Sequence, residues 1–157
     1  MPRYEPWDLI EATRVVAARS HEKGSAIAIM HDLMERFGYV DRAIVPVLAE
    51  ALNLSRAEIH GTLTFYHDFR DHPPGRTTLK VCRAEACQSR GAVEMHDALR
   101  RKLGIDWHGT TPDGAITIEP VFCLGLCACA PAVLVDDEPL GNVRVETLDA
   151  LIAEARA

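Results

Sequence analysis

Two close pairs, Cys82/Cys87 and Cys123/Cys127, account for four of the five cysteines in this 157-residue chain. Thiolates are soft ligands, and four of them meeting at one place leave no open coordination position. That donor set suits a structural zinc ion or an iron-sulfur cluster. Structural zinc pairs are commonly separated by about two to four residues, which accommodates both gaps here. A four-residue gap such as that between Cys82 and Cys87 also occurs in plant-type [2Fe-2S] ligation, where the other two ligands are placed differently. Spacing leaves both metals open and leans towards iron and sulfide.

Each pair follows an apolar run of strand character. In Thr77-Thr78-Leu79-Lys80-Val81, Leu79 and Val81 alternate with polar neighbours just before Cys82. The run from Ile116 to Phe122 leads into Cys123 in the same way. Between the two runs, Ser89 is positioned to cap a helix from about Gly91 to Leu103, with Met95, Leu99 and Lys102 or Leu103 at helical spacing and Gly104 as its stop. A helical crossover is what parallel strands require, and parallel strands deliver their C-terminal ends to one edge of a sheet. All four thiols are expected there. A centre of two ferric irons, two sulfides and four thiolates carries a double negative charge by simple counting, so it needs N–H donors and positive dipole ends. Gly125, Ala128 and Ala130 are small enough for the main chain to approach sulfur, and a helix starting near Ser89 would aim its positive end at Cys87.

The first half reads as helical. Trp7 to Arg19 forms one segment, and Ser25 is placed to cap another with Ile27, Met30, Met34 and Phe37 on one face before Gly38. A third lies within Ala43 to Leu52, with Pro46 near its start, and Ser55 with Glu58 has capping-box spacing for a fourth through Leu63. The Met and aromatic residues of this half are read as core, with Phe65, Tyr66 and Phe69 as the alternatives for a partner contact. The cluster from His67 to His72 reads as a polar loop. His72-Pro73-Pro74-Gly75 is the best boundary, because it cannot continue a helix. Beyond the second cysteine pair, Ala132 to Val135 and Pro139-Leu140 read as a hairpin around Asp136-Asp137-Glu138, followed by a helix from Glu146 to Arg156 whose Leu148, Leu151, Ile152 and Ala155 face inward.

These residues resemble a known family. The combination of Val81 to Cys87, Thr111-Pro112-Asp113-Gly114, Cys123-Leu124-Gly125-Leu126-Cys127 and Ala130-Pro131 is similar to the thioredoxin-like [2Fe-2S] subunit of NADH dehydrogenases. Tyr39-Val40, the stretch from Ala49 to Ser55, and Gly61 through Tyr66 extend the likeness upstream. The resemblance implies an α+β chain: an N-terminal helical bundle over residues 1–74, then a thioredoxin-like α/β [2Fe-2S] ferredoxin domain over 75–157. It implies that Cys82, Cys87, Cys123 and Cys127 ligate one [2Fe-2S] cluster, and that the chain is a non-catalytic electron carrier. A partner of the beta type, binding FMN and NAD, would carry out hydride chemistry, and further iron-sulfur clusters would sit on partner subunits. Cys87-Gln88-Ser89 and the stretch Leu124 to Ala128 look most like the gamma subunit of NAD-dependent formate dehydrogenase, whose alpha-type subunit carries molybdenum or tungsten. Respiratory NADH:quinone oxidoreductase and the diaphorase of an NAD-linked hydrogenase are the alternative parents, and a structural zinc module is the alternative chemistry.

Three residues near the cysteines have a plain reading beside a functional one. Cys129 departs from the family pattern and is taken as a small buried thiol that does not ligate. Arg83 is a solvent-facing charge unless its guanidinium approaches the cluster, where it would raise the potential. His96 is read as surface or satisfied packing, since Rieske ligation takes two histidines with two cysteines.

Composition narrows the setting. A formal charge of −6, with no basic cluster longer than Arg100-Arg101-Lys102, argues against a general nucleic-acid binder. That triplet suits the last turn of a helix. The odd cysteine count argues against a disulfide framework, and the absence of a Cys-x-x-Cys motif argues against thiol–disulfide exchange. The stretch from Met1 to Asp8 has no export-signal pattern, and no apolar run is long enough for direct membrane insertion, so the expected location is cytoplasmic.

Overall fold

The computed structural model describes residues 4–156. Met1 to Arg3, part of the stretch read for an export signal, lie outside them. The chain divides between Pro73 and Pro74 into a helical unit and a mixed α/β unit.

The helical unit holds α1 (Leu9–Arg19), α2 (Ala26–Phe37), α3 (Val45–Leu52) and α4 (Arg56–Phe65). Asp8 caps α1, its carboxylate accepting from the Glu11 N–H at 2.9 Å. A 3₁₀ turn over Arg42–Ile44 leads into α3, and Pro46 stands in the first turn of that helix, where its missing N–H costs no helical bond. Ser55 and Glu58 form the expected capping box: the Glu58 N–H donates to Ser55 Oγ at 3.1 Å, and the Ser55 N–H donates back to Glu58 Oε2 at 2.8 Å. Those bonds favour the ionised carboxyl and hold Glu58 below its usual range.

Two expectations for this unit are corrected. The Ser25 hydroxyl makes no cap bond; the residue already has helical dihedrals, and its Oγ is buried without a partner. The buried stripe of α2 is Ile29, Met30, Leu33 and Phe37, whereas Ile27 is exposed and Met34 only partly covered. Both α1 and α4 pack on α2, and two neighbours turn its apolar face away from the stripe that spacing suggested. The aromatic residues also divide: Phe69 is buried, but Phe65 and Tyr66 at the end of α4 are exposed, Phe65 by 73%. In the His67 to His72 loop, Asp71 accepts from Arg42 Nε at 2.9 Å and pairs with His72, which leaves the cluster a surface polar network.

The second unit is built on β1 (Thr77–Cys82), β2 (Ile116–Val121), β3 (Val133–Val135) and β4 (Glu138–Leu140), in spatial order β2-β1-β3-β4. Strands β1 and β2 are parallel, with Thr77 opposite Ile116 and Cys82 opposite Val121. The hairpin β3–β4 then runs antiparallel along β1. Register between β1 and β2 is fixed at the far end by fully buried Thr117, which accepts from the Gly75 N–H at 2.6 Å and bonds Thr110 at 2.7 Å. No side chain fits at Gly75, where a Cβ would lie 2.9 Å from the Ile116 main chain. Helices α5 (Glu85–Gln88) and α6 (Ala92–Leu103) fill the crossover, and α7 (Leu148–Arg156) closes the chain after a 3₁₀ turn over Val145–Thr147. Leu79, Val81, Met95, Leu99, Ile116, Ile118, Val133, Leu148 and Leu151 form the core between sheet and helices.

Ser89 has a different place from the one its spacing suggested. It ends the short α5, its Oγ donating to the Ala86 carbonyl at 2.9 Å, and α6 starts from Gly91 in the left-handed region at φ 91°. Cys87 therefore lies inside α5, and no long helix dipole begins at Ser89. Among the described residues, no helix is long and apolar enough to cross a membrane.

Candidate metal centre

Parallel pairing places Cys82, the last residue of β1, beside Val121 at the end of β2, two residues before Cys123. The first pair is interior. Cys82 and Cys87 are each only 2% exposed and pack with Ala92, Ala130 and Ala132. These small side chains keep bulk away from sulfur. The Cys82 N–H donates to the Ala132 carbonyl at 3.1 Å, and the Arg90 N–H donates to the Cys87 carbonyl at 3.1 Å, so both residues are held by their main chains.

The second pair is exposed. Cys123 leaves β2 with φ 140°, a region that L-residues avoid at a cost of about 1–3 kcal/mol, and such strain concentrates at functional sites. The turn brings Cys123 Sγ within 3.9 Å of Cys127 Sγ, and the Gly125 N–H points at Cys123 Sγ at 3.4 Å. Gly125 itself has φ 77°, which its lack of a Cβ permits. Cys127 opens a 3₁₀ turn ending at Cys129, after which the Ala130–Pro131 peptide is cis. Phe122, directly before Cys123, is 74% exposed, which puts an aromatic ring on the surface that also carries these thiols.

Each pair feels the charge of the other. Burial pushes the Cys87 thiol up, and the adjoining Cys82 thiol and the field of Cys127 push the same way, while the Ala132 main chain opposes them. The hydrogen-bonded Cys123 thiol raises Cys127, and the charge of Cys82 adds to it. Ionised thiols that raise one another in this way repel, and a strongly positive metal relieves such repulsion. The residues fit an iron-sulfur group on three counts: four thiols, small walls and an N–H aimed at sulfur. Among the described residues, no three His, Cys, Asp or Glu side chains crowd together at the spacing of a single ion.

Cys129 is exposed, which corrects the expectation of a buried thiol. Its carbonyl accepts from the Asn142 N–H at 2.6 Å, and a Cβ on Gly141 would lie 2.6 Å from the Cys129 Cβ, so the turn is seated against β4's exit.

His96 is satisfied packing, one of the two readings its sequence position offered. It is buried on the inner face of α6, where Nε2–H donates to the Cys82 carbonyl at 3.0 Å. Burial holds its imidazole below the ordinary range, the Cys82 carbonyl bond and Asp97 opposing and Arg83 and Arg100 acting with it. The signal was present: His96 shares the inward stripe of Ala92, Met95 and Leu99. Trp107 gave no comparable signal. Its ring lies edge-on to His96, with centroids 5.5 Å apart, and the Arg83 guanidinium sits 4.9 Å from the Trp107 centroid. Arg83 is therefore a stacked, half-buried charge and not a freely solvated one.

Known proteins share this architecture. The family described as thioredoxin-like [2Fe-2S] ferredoxin matches residues 12–156, a span that includes both cysteine pairs. A subunit of the NADH-quinone oxidoreductase of Rhizobium meliloti is 36% identical over 149 residues, covering 94% of this chain and 88% of its own. The NADP-reducing hydrogenase subunit HndA of Solidesulfovibrio fructosivorans is 29% identical over 144 residues, covering 92% and 84%. Among solved structures, an air-oxidised NAD⁺-reducing [NiFe]-hydrogenase superposes with a TM-score of 0.68 at 25% identity, over 83% of this chain and 22% of that much longer one. With both cysteine pairs inside a match that spans nearly all of its length, the chain belongs to the thioredoxin-like [2Fe-2S] ferredoxin family.

Proposed function

We propose that the chain is the [2Fe-2S] electron-transfer subunit of an NAD-linked oxidoreductase, with Cys82, Cys87, Cys123 and Cys127 as the cluster ligands. The observation that carries this reading is the family match across residues 12–156, which contains all four thiols. Bound there, a [2Fe-2S] centre takes up and releases single electrons. The protein's contribution is to hold the four sulfurs, exclude bulky groups with Ala92, Ala130 and Ala132, and aim the Gly125 N–H at Cys123. The exposed pair and Phe122 form a surface that a partner can approach closely, while Cys82 and Cys87 stay dry. Hydride chemistry belongs, in this reading, to a flavin- and NAD-binding partner.

For the parent complex, we place a molybdenum or tungsten formate dehydrogenase first, on the strength of Cys87-Gln88-Ser89 and the stretch Leu124 to Ala128. The names of the relatives favour a second reading, an NAD(P)-linked hydrogenase or NADH-quinone oxidoreductase. Affinity isolation of the tagged chain from its native cells separates them. Formate-dependent NAD reduction by an assembly containing molybdenum or tungsten is the expected result. Hydrogen-dependent reduction with nickel, or quinone reduction in a membrane fraction, assigns the chain to the second reading.

A further inference from the structure

The Cys82 side of the site is backed by a stack of residues that the ligand assignment does not use. His96 Nε2–H meets the Cys82 carbonyl at 3.0 Å, Trp107 stands edge-on to His96, and Arg83 and Arg100 lie 4.9 and 5.9 Å from the Trp107 ring centroid. The two cations are not equivalent. Arg100 is neutralised by Asp106 at 3.0 Å and Asp97 at 3.6 Å. Arg83 has no carboxylate within ion-pair distance among the described residues, although acidic residues outnumber Lys and Arg by 23 to 17.

The Arg83 backbone is already fixed. Its N–H donates to the Val121 carbonyl at 2.7 Å, and its carbonyl accepts from Gln88 Nε2 at 2.7 Å. Only the side chain has freedom, and the face of Trp107 is what captures it. A guanidinium on an indole face is attracted by the ring quadrupole, and more strongly as the pair loses water. The captured charge belongs to the residue that directly follows a cluster ligand.

We infer that Trp107 is a positioning residue for the redox centre: it holds the uncompensated Arg83 charge next to Cys82 in the chain, and so raises the reduction potential. The inference rests on the cluster assignment made above. Its physical basis is that one-electron reduction adds negative charge to the site, which a fixed cation favours and a freely solvated one favours much less.

The test is an EPR-monitored redox titration of the cluster-loaded full-length chain. Trp107→Ala and Arg83→Gln are each expected to move the midpoint to more negative potential, by about 59 mV for a tenfold change in a one-electron equilibrium. In the double variant the shifts do not add, because Trp107 acts through Arg83. Trp107→Phe preserves an aromatic face and recovers part of the shift, which guards against a folding defect in the alanine variant. Arg101→Gln, an exposed change of equal charge on α6, leaves the midpoint in place. If Arg83→Gln and Trp107→Ala load normally and keep the wild-type midpoint, the role of Trp107 is overturned while the cluster assignment stands. A wild-type chain with no [2Fe-2S] signal overturns both.

Discussion

Replacing Cys87 with alanine leaves a folded chain that cannot retain its cluster, with bound iron and acid-labile sulfide falling at least about tenfold. The expectation follows from where the thiol sits. Cys87 is buried among alanines that carry no donor atom, and the Ala84 and Arg90 main-chain bonds hold the short helix in place, so nothing moves in to replace the lost sulfur. Cys129 is the spare thiol, yet its turn is fixed by the Asn142 bond to its carbonyl and by the close approach of Gly141, and it lies on the exposed side of the site. Cys129→Ala should therefore load like the wild type. Metal and sulfide analysis of both variants, with circular dichroism to confirm folding, checks the pair. Full iron in Cys87→Ala would remove that residue from the ligand set, and loss of iron in Cys129→Ala would place that thiol in it.

Leu79→Ala is expected to lower the stability of the second unit by about 2–5 kcal/mol, a large part of the roughly 5–15 kcal/mol that a domain typically has. Leu79 is fully buried on β1, the strand hydrogen-bonded to both β2 and β3, and it lies in the same core as Met95, Leu99 and Ile118. Truncation removes apolar burial and leaves a cavity that two paired strands are ill placed to close. The same strand ends in Cys82, so the variant should also release its cluster at lower denaturant. Leu140→Ala, on the exposed edge strand, serves as the comparison and should stay within about 0.5 kcal/mol of wild type. Urea unfolding followed at a visible wavelength and by far-UV dichroism measures both. A Leu79→Ala midpoint matching that of Leu140→Ala would contradict the placement of the core.

Much of the framework was legible from periodicity. The alternation in Thr77 to Val81, the stripe of Met95, Leu99 and Leu103, and the inward set Leu148, Leu151, Ile152 and Ala155 each report a face that meets a single core, and each is buried as read. The Ser55–Glu58 box was legible because its two bonds are local. Elements with two neighbours were less so: α2 lies against both α1 and α4, and its buried stripe is set by a packing that no single segment encodes. Ser89 misled because its hydroxyl satisfies the end of α5 and not the start of α6, and a four-residue helix leaves no periodic trace.

Around the thiols, residue type pointed to a donor set but carried little of its surroundings. Small residues near the cysteines pointed to close main-chain approach, and Gly125 makes one. The positive φ of Cys123 had no marker, since nothing in its side chain favours that region. Trp107 is twenty residues or more from Cys82 and Cys87 in sequence, and only the fold brings it to Arg83 and His96. Distance along the chain hid the stack, although each of its members is an ordinary residue type for such contacts.

The most direct test is the metal and sulfide content of the full-length chain, expressed with iron and sulfide supply and purified without oxygen. The account predicts two irons and two acid-labile sulfides per chain, with visible absorption that bleaches on one-electron reduction. One zinc per folded chain, with neither iron nor sulfide, would contradict it.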